Sequence, residues 1–268
     1  MQSIKCFSRQ LAAAVITIAS TCSAAVAGPI LYIDDVDGKL GTVDVSTGAV
    51  TVIGNTGRSL VDIAFDPTGK LFGITFSQLF SINTTTAAAT LIGNLGAELN
   101  SLVFGADGTL YAANSSLYKI NVVTGAASKV PTSGNNPTPY VSSGDLAFVS
   151  NKLYLTSSVN NSLVTVNTSN GKGSNVGAVG FANVYGLASS DNSLFGVAGT
   201  TVLSINMSTG AGTALLNYSG KGLGVANGAA FLSEAGASLP NPVPEPASLA
   251  LLGLGLAGIA AARRRRQG

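Results

Sequence analysis

The feature of this sequence that most constrains its fold is an internal repeat of about 40 residues. Each copy begins with a leucine followed by an aromatic residue. The five copies start at Leu31, Leu71, Leu110, Leu153 and Leu194, with spacings of 40, 39, 43 and 41 residues. A period of this length indicates an architecture of repeated supersecondary units, each of which buries its apolar face against its neighbours.

A second motif recurs inside every unit between two short apolar runs. It consists of Asp or Asn, two intervening residues, and then Thr-Gly, with Asn for Thr in one copy and Ala for Gly in another. Its copies start at Asp44, Asn83, Asn121, Asn167 and Asn206. An Asx side chain accepts hydrogen bonds from the backbone of the turn that it opens, and a closing glycine adopts positive φ without steric strain. The motif therefore predicts a hairpin turn between two strands.

A third motif closes the units. Its copies are Asp62–Phe65, Asn100–Phe104, Asp145–Phe148 and Tyr185–Ala188, with Gly222–Ala226 in that place in the fifth unit. Four short strands per unit, with no helical periodicity between residues 28 and 241, predict an all-β β-propeller. We expect five four-stranded blades; six blades, or a solenoid, are the alternatives. Residues 229–233 are expected to close the ring against the first blade.

The repeat resembles the NHL, YVTN and gluconolactonase-like propeller repeats, in pieces such as residues 62–72, and this resemblance extends over about residues 30–234. It is also similar to the pyrroloquinoline-quinone dehydrogenase repeat in the Asp-x-x-Thr-Gly piece. That repeat usually carries a tryptophan that docks blades together, and this chain contains no Trp. We therefore set the quinoprotein interpretation aside.

The C-terminal tail has three parts: Val243, Pro244, Glu245 and Pro246; an apolar run over residues 247–262; and Arg263, Arg264, Arg265 and Arg266. This order resembles the PEP-CTERM sorting signal, which exosortase-type enzymes process at the envelope of Gram-negative bacteria. The resemblance implies an exosortase-type enzyme as a partner. An ordinary C-terminal anchor with a basic stop-transfer flank is the alternative.

The apolar run predicts a transmembrane helix. Its 16 residues would span about 24 Å as a helix, and arginine side chains extending to the interface cover the remaining mismatch with the bilayer. A basic flank stays on the cytoplasmic side, so residues 263–268 are expected to be a cytoplasmic tail and the preceding chain to lie outside the inner membrane.

The N-terminus predicts a secretory signal peptide over residues 1–27. Lys5 and Arg9 form a basic region, residues 11–19 are apolar, and Ala25 and Ala27 form an A-x-A cleavage site. The expected domains are then the signal peptide, the propeller over 28–236, a linker over 237–246 that contains the Pro-Glu-Pro motif, the helix and the basic tail.

The charge of the chain is concentrated at its ends. The whole chain has a formal net charge of +2, whereas residues 28–240 contain eight basic and eleven acidic residues and so carry −3. The body has no basic patch, which argues against nucleic acid as a partner.

The composition also limits the possible chemistry. The chain contains no histidine, which excludes Ser-His-Asp triads and His-based zinc sites, and its two cysteines, Cys6 and Cys22, lie in the signal peptide. The gluconolactonase-like resemblance implies a divalent metal held by Glu, Asn and Asp at the ring centre. Neither Glu98 nor Glu234, which ends the last repeat, fits that set. We predict no cofactor and no catalytic residues, with a metal-dependent hydrolase or lactonase as the alternative.

Two further segments are candidate sites. Asp34, Asp35 and Asp37 form an acidic cluster, which we interpret as a turn between the first two strands with Asp37-Gly38 at its tip; a weak calcium site is the alternative. Residues 132–140 form the longest insertion, which is a surface loop unless Tyr140 contacts a ligand there.

From the sequence we expect an exported, non-enzymatic propeller that binds a glycan or a protein. It would be anchored in the inner membrane before processing and would then reside at the cell surface or in the extracellular matrix. A passive structural role in the matrix is a further alternative.

Overall fold

The computed structural model describes residues 28–132, 134–136 and 138–236, and in these ranges it contains twenty β-strands and no helix. The strands form five separate four-stranded antiparallel sheets. The predicted β-propeller with five four-stranded blades is confirmed. No helix of the described ranges is long and apolar enough to cross a membrane.

The strands follow each other around the ring in sequence order. Blade 1 contains β1 (Ile30–Asp35), β2 (Lys39–Asp44) and β3 (Val50–Asn55). Blade 2 contains β4 (Asp62–Phe65), β5 (Leu71–Ile74), β6 (Gln78–Ile82) and β7 (Ala89–Asn94). Blade 3 contains β8 (Ser101–Phe104), β9 (Leu110–Ala113), β10 (Leu117–Ile120) and β11 (Ala127–Lys129). Blade 4 contains β12 (Ser142–Val149), β13 (Lys152–Ser157), β14 (Ser162–Val166) and β15 (Gly173–Ala178). Blade 5 contains β16 (Val184–Ser190), β17 (Ser193–Ala198), β18 (Thr201–Ile205) and β19 (Gly212–Asn217), and β20 (Ala226–Phe231) completes blade 1.

The ring is closed by pairing the last strand with the first. β20 lies beside β1 in antiparallel register, with Leu31 opposite Phe231 and Ile33 opposite Ala229. The predicted closing segment, residues 229–233, is therefore confirmed for residues 229–231 in β20, whereas residues 232 and 233 lie beyond the strand. The expected fifth copy of the closing motif, Gly222–Ala226, is wrong, because that segment is a loop that meets β20 only at Ala226.

The closing motif of each of the first four sequence units lies in the innermost strand of the following blade. In β4 and β8 all four residues are buried, because these strands lie between their own sheet and the other inner strands of the ring. The outermost strands β3 and β7 have mostly exposed or half-buried residues. Burial on both faces explains why the inner strands have continuous apolar runs rather than alternating ones.

The Asx motifs form the predicted hairpin turns. Asp44 Oδ1 accepts hydrogen bonds from Ser46 N at 2.8 Å and from Thr47 N at 3.0 Å, and the side chain of Asn121 makes the equivalent pair. Gly48 closes the first turn with a φ of 68°, and Ala87 takes the same place in the second with a φ of 63°.

Aromatic pairs connect neighbouring blades and explain the leucine-aromatic motif. Four interfaces contain such a pair: Tyr32–Phe65, Phe72–Phe104, Tyr111–Phe148 and Phe195–Phe231, with ring centroids 4.9–5.6 Å apart. At the interface of blades 4 and 5 the inner strand carries Ser189 instead, and its hydroxyl donates a 2.6 Å hydrogen bond to the carbonyl of Phe148. Tilted aromatic pairs of this kind contribute about 0.5–1.5 kcal/mol each beyond the area that they bury.

The outer strands dock on the Asx turns of the next blade through glycine. A Cβ atom on Gly93 would lie 2.0 Å from the carbonyl oxygen of Thr124, and one on Gly177 would lie 2.0 Å from that of Thr209. At Gly54 the equivalent distance, to Thr86, is 3.0 Å. Backbone thus packs directly on backbone at the rim of the ring, which only glycine permits.

We predict that Gly93→Ala and Gly177→Ala each lower the free energy of unfolding by about 1–3 kcal/mol, since a methyl group at either position forces two blades apart. Gly54→Ala, the matched control, should have a smaller effect. Urea unfolding followed by circular dichroism measures all three. Equal effects for the three variants would contradict this account of blade docking.

Candidate functional site

The centre of the ring contains five backbone N–H groups, one from each innermost strand at the same position. They belong to Ile63, Leu102, Leu146, Leu187 and Ala229, and two carboxyl groups accept hydrogen bonds from all five. Asp62 accepts from Ile63 N at 2.7 Å and from Leu102 N. Asp145 accepts from Leu146 N at 2.6 Å, from Leu187 N at 2.6 Å and from Ala229 N at 3.2 Å. We call Asp62 and Asp145 the axial pair.

The axial pair is fully buried, and its two carboxyl groups interact with each other. Burial raises the pKa of both, and the neighbouring charge of Asp145 raises the pKa of Asp62 further. A hydrogen bond between protonated Asp62 and Asp145 also raises the pKa of Asp62. Two interacting carboxyl groups resist ionising together, so the pair retains a proton to a higher pH than an ordinary aspartate does.

Asp34 brings a third carboxyl group to the centre. It is 1% exposed, and within the described part of the chain neither of its oxygens has a hydrogen-bond partner. Burial raises its pKa to about 7. Opposite Asp34 on the innermost strand β20 lies Gly228, where a Cβ atom would be 2.8 Å from Asp34 Oδ1 and 2.3 Å from Asp62 Oδ1. Glycine at this position leaves the space that the two carboxyl groups occupy.

The acidic cluster named from the sequence is divided between two places. Asp35 and Asp37 lie in the turn expected between β1 and β2, where Asp35 Oδ1 accepts from Asp37 N at 3.0 Å and from Lys39 N at 2.8 Å. Asp35 Oδ2 accepts from Gly224 N at 2.7 Å. The carboxylate of Asp37 lies near the surface, 3.7 Å from Lys39 Nζ, whereas Asp34 points into the ring.

The grouping of the acidic side chains determines whether the centre of the ring could bind a metal ion. Across the described residues, no three Asp, Glu, His or Cys side chains are grouped so that they could hold a metal ion. Both members of the axial pair are 0% exposed, and neither lines the cavities found at the two ends of the channel. The arrangement is suited to holding five strands together rather than to contacting a substrate.

One end of the channel opens into a cavity of about 210 Å³, which we call the mouth. It lies where the inner strands begin, and its lining residues are Val61, Phe76, Asn100, Ser143, Gly144, Tyr185 and Asn227. None of these seven carries a charge. The mouth therefore combines two aromatic rings with amide and hydroxyl groups.

Two amide side chains at the mouth are held in place by backbone carbonyl groups. Asn100 Nδ2 donates to the carbonyl of Ser142 at 2.9 Å, while Asn100 Oδ1 and Ser142 Oγ have no partner among the described residues. Asn227 Nδ2 donates to the carbonyl of Leu60 at 2.8 Å. The backbone thus fixes the orientation of both amides, while Asn100 Oδ1 and Ser142 Oγ are buried behind the lining of the mouth.

Apolar side chains on the loops of this face surround the mouth. Phe76 is 55% exposed, and Val36, Val141, Val159 and Val225 are exposed on the neighbouring loops. Loops that carry exposed apolar groups next to a polar cavity are typical of interaction surfaces.

The insertion that we considered as a ligand contact does not provide one at Tyr140. That side chain is 2% exposed, and its hydroxyl group donates a 2.9 Å hydrogen bond to the carbonyl of Gly171. Burial raises its pKa to about 12. Tyr140 therefore fixes the insertion to blade 4, which the sequence could not show because the partner lies 31 residues away.

The other end of the channel is covered by the segment Leu232–Gly236, which we call the C-terminal cap. Hydrogen bonds from Gly236 N to the carbonyl of Ser233 and from Glu234 N to the carbonyl of Phe231 fold it into two turns. Ala235 is 1% exposed and packs in the core cluster of blades 2 and 3. Glu234 is half-buried and faces the cavities beside the cap, and its Oε1 is buried with no partner in the described ranges.

The predicted signal peptide, with Ala25 and Ala27, lies outside the described residues. The sorting motif, the apolar run and the arginines of the tail also lie outside them. Residues 242–266 match the family model of the PEP-CTERM protein-sorting motif. This motif implies an exported protein that is held in the membrane until an exosortase processes it. A comparison with curated proteins finds no match.

Solved structures with a similar fold include a crystal structure of a structural genomics protein of unknown function from Bacteroides thetaiotaomicron. It is 16% identical with a TM-score of 0.50, and the match covers 71% of this chain and 56% of that one. This chain therefore spans little more than half the length of that protein. A chain of a nidogen/laminin complex is 13% identical with a TM-score of 0.51, over 76% of this chain and 81% of that one. At these identities the similarity concerns the fold alone.

Asp34 provides a direct test of the carboxyl groups at the centre. Its pKa in the folded protein, about 7, lies above the usual 3.8, so the folded protein retains a proton that the unfolded chain releases. The stability that depends on this proton is complete below pH 3.8 and is lost as the pH rises to about 7. The difference corresponds to about 4 kcal/mol.

We predict that Asp34→Asn stabilises the protein more at pH 8 than at pH 4, because the amide cannot ionise. The change in the free energy of unfolding caused by the substitution should differ between the two pH values by up to about 4 kcal/mol. Asp37→Asn, at an exposed site, is the control and should change little at either pH. Denaturant unfolding at a series of pH values measures both. A pH profile of Asp34→Asn that parallels that of the wild type would contradict the assignment.

Proposed function

We propose that the protein is a non-enzymatic interaction module of the cell surface or extracellular matrix, delivered there by its sorting signal. In this proposal the signal peptide is removed after Ala27, residues 247–262 cross the inner membrane, and Arg263–Arg266 remain in the cytoplasm until processing. Residues 237–246 connect the propeller to the membrane helix, and Val243 to Pro246 form the motif that the exosortase recognises.

The position of the cap supports a particular orientation of the propeller relative to the membrane. The chain leaves the propeller from the cap, at the end of the channel opposite the mouth, and ten residues separate Gly236 from the apolar run. Ten extended residues span at most about 35 Å. The capped face is thereby tethered near the membrane, and the mouth is directed towards partners outside.

The observation that carries the binding proposal is the chemistry of the mouth. Phe76 and Tyr185 offer aromatic surface, and Asn100, Ser143 and Asn227 offer neutral donors and acceptors. A neutral sugar has apolar C–H faces and many hydroxyl groups, and so suits such a lining better than a charged peptide or polyanion would. We therefore favour a neutral glycan as the ligand.

The centre of the ring supports a non-enzymatic role. The carboxyl groups of the axial pair are buried and accept hydrogen bonds from backbone N–H groups, and Asp34 is buried beside them, so a substrate at the mouth would not reach them. The exposed aromatic ring of Phe76 at the mouth favours a binding role over a passive structural one.

We predict that Phe76→Ala combined with Tyr185→Ala weakens binding to neutral polysaccharides at least tenfold, because the aromatic surface of the mouth is lost. Val123→Ala is the control, since Val123 is 80% exposed on the opposite face. Binding is measured on a glycan array and then by calorimetry with the glycans that bind. If the protein instead binds a protein partner and the double variant does not, the mouth is the binding site but the choice of a glycan ligand is wrong. If glycan binding survives in the double variant, the mouth is not the binding site.

We predict that replacing Pro244, Glu245 and Pro246 by alanine keeps the protein in the membrane fraction at its unprocessed mass. The reason is that the exosortase no longer recognises the tail, while the membrane helix is unchanged. Pro240→Ala, outside the matched motif, is the control and should be processed normally. Fractionation of the host with mass spectrometry of the C-terminus measures this. Normal processing of the triple variant would contradict the sorting role.

A further inference from the structure

The C-terminal cap covers the channel as a narrow bridge between two cavities. A cavity of about 420 Å³ lies on one side and a cavity of about 250 Å³ on the other, and Ser233 and Glu234 line both. The cap contacts several blades: Ala235 packs with Phe104 of blade 3, and Ser233 Oγ lies 3.4 Å from Ser190 Oγ of blade 5. Its attachment to the ring therefore depends on a few small contacts around one buried carboxyl group.

The surroundings of that carboxyl group are acidic. Asp145 of the axial pair lies beneath it on β12, Asp107 lies on the β8–β9 turn and Asp191 on the β16–β17 turn. Tyr111 of β9 is the one other titratable group among the residues that line the two cavities, and β16 contributes the hydroxyls of Ser189 and Ser190.

The basic residues of this face do not neutralise Glu234. Lys119 Nζ lies over the ring of Tyr111 at 5.7 Å from its centroid, and Lys152 Nζ lies over the ring of Tyr154 at 5.4 Å. The β4–β5 turn, which carries Asp66 and Lys70, meets the cap at Leu232, and Lys70 Nζ lies over the ring of Phe72 at 5.0 Å. None of the three lysines lines the two cavities beside the cap. Glu234 thus has acidic neighbours and no facing cation within the described residues.

We propose that the C-terminal cap is a proton-dependent latch, closed while Glu234 is protonated and released when Glu234 ionises. A protonated carboxyl group fits a buried site with acidic neighbours, whereas a carboxylate there is both desolvated and repelled by Asp145. Release leaves the ring intact, because β20 ends at Phe231, before the cap begins.

The direction of the pH dependence follows from the burial of Glu234. Burial, and then the charge of Asp145, raise the pKa of this carboxyl group well above the usual 4.5 in the closed state. The closed state therefore binds a proton that the open state releases above about pH 4.5. Closure is strongest below this pH and weakens as the pH rises through the raised pKa.

Release changes the presentation of the sorting motif. Eight residues lead from Gly236 to Pro244 with the cap closed, and thirteen lead from Phe231 with the cap open. The greatest distance between the ring and Pro244 then increases from about 28 Å to about 45 Å. The latch thus sets how far the motif reaches from the propeller towards a membrane-bound enzyme.

A single cysteine in the cap reports its opening. In the full chain, with Cys6 and Cys22 replaced by Ser, Ala235→Cys places a thiol where the side chain is 1% exposed, and Ser115→Cys places a reference thiol on an exposed turn. We expect the maleimide labelling rate at position 235, divided by that at 115, to rise about tenfold or more between pH 5 and pH 8. Adding Glu234→Gln should keep this ratio low and independent of pH.

Two controls separate the latch from other causes. Ser233→Ala weakens the contact with Ser190 and should raise the ratio at every pH without changing its pH dependence. Ala112→Cys, in β9 and 0% exposed, should remain unlabelled throughout. The proposal is overturned if the ratio is flat in the wild type, if it rises equally with Glu234→Gln, or if position 112 becomes labelled together with position 235.

Discussion

The ring depends on the hydrogen bonds between two carboxyl groups and five backbone N–H groups at its centre. In a propeller the innermost strands lack a partner on their inward side, so their N–H groups would be buried without an acceptor. Asp62 and Asp145 accept from all five strands and so connect the blades across the channel. Each N–H group left without an acceptor would cost about 1–3 kcal/mol.

This solution concentrates negative charge where no cation balances it among the described residues. Asp34 and the axial pair lie inside the ring and Glu234 lies at its capped end, and burial raises the pKa of all four. The stability of the centre therefore decreases as the pH rises and these groups lose their protons. The two ends of the channel differ as a result: the mouth has a neutral lining suited to a ligand, and the capped end has an acidic lining suited to a proton-dependent contact.

Much of the fold could be predicted from the sequence, because turn chemistry is local. The Asx turns, the number of blades and the closing strand all follow from motifs that repeat every 40 residues or so. The axial pair could not be assigned in this way, since only two of the five inner strands carry an aspartate, at Asp62 and Asp145, and three of their five partners lie on other blades. The available signal was an aspartate directly before a short apolar run in each of these two strands. The mouth and the cap were also missed, because both are formed by residues far apart in the chain.

Carboxyl ¹³C NMR of the aspartate-labelled protein tests the central claim most directly. If Asp62 and Asp145 share a proton at the centre of the ring, at least one of their resonances remains at the protonated position at pH 7, and both titrate above the usual range for aspartate. Two resonances that are both fully ionised by pH 5 would contradict the axial pair as the support of the ring.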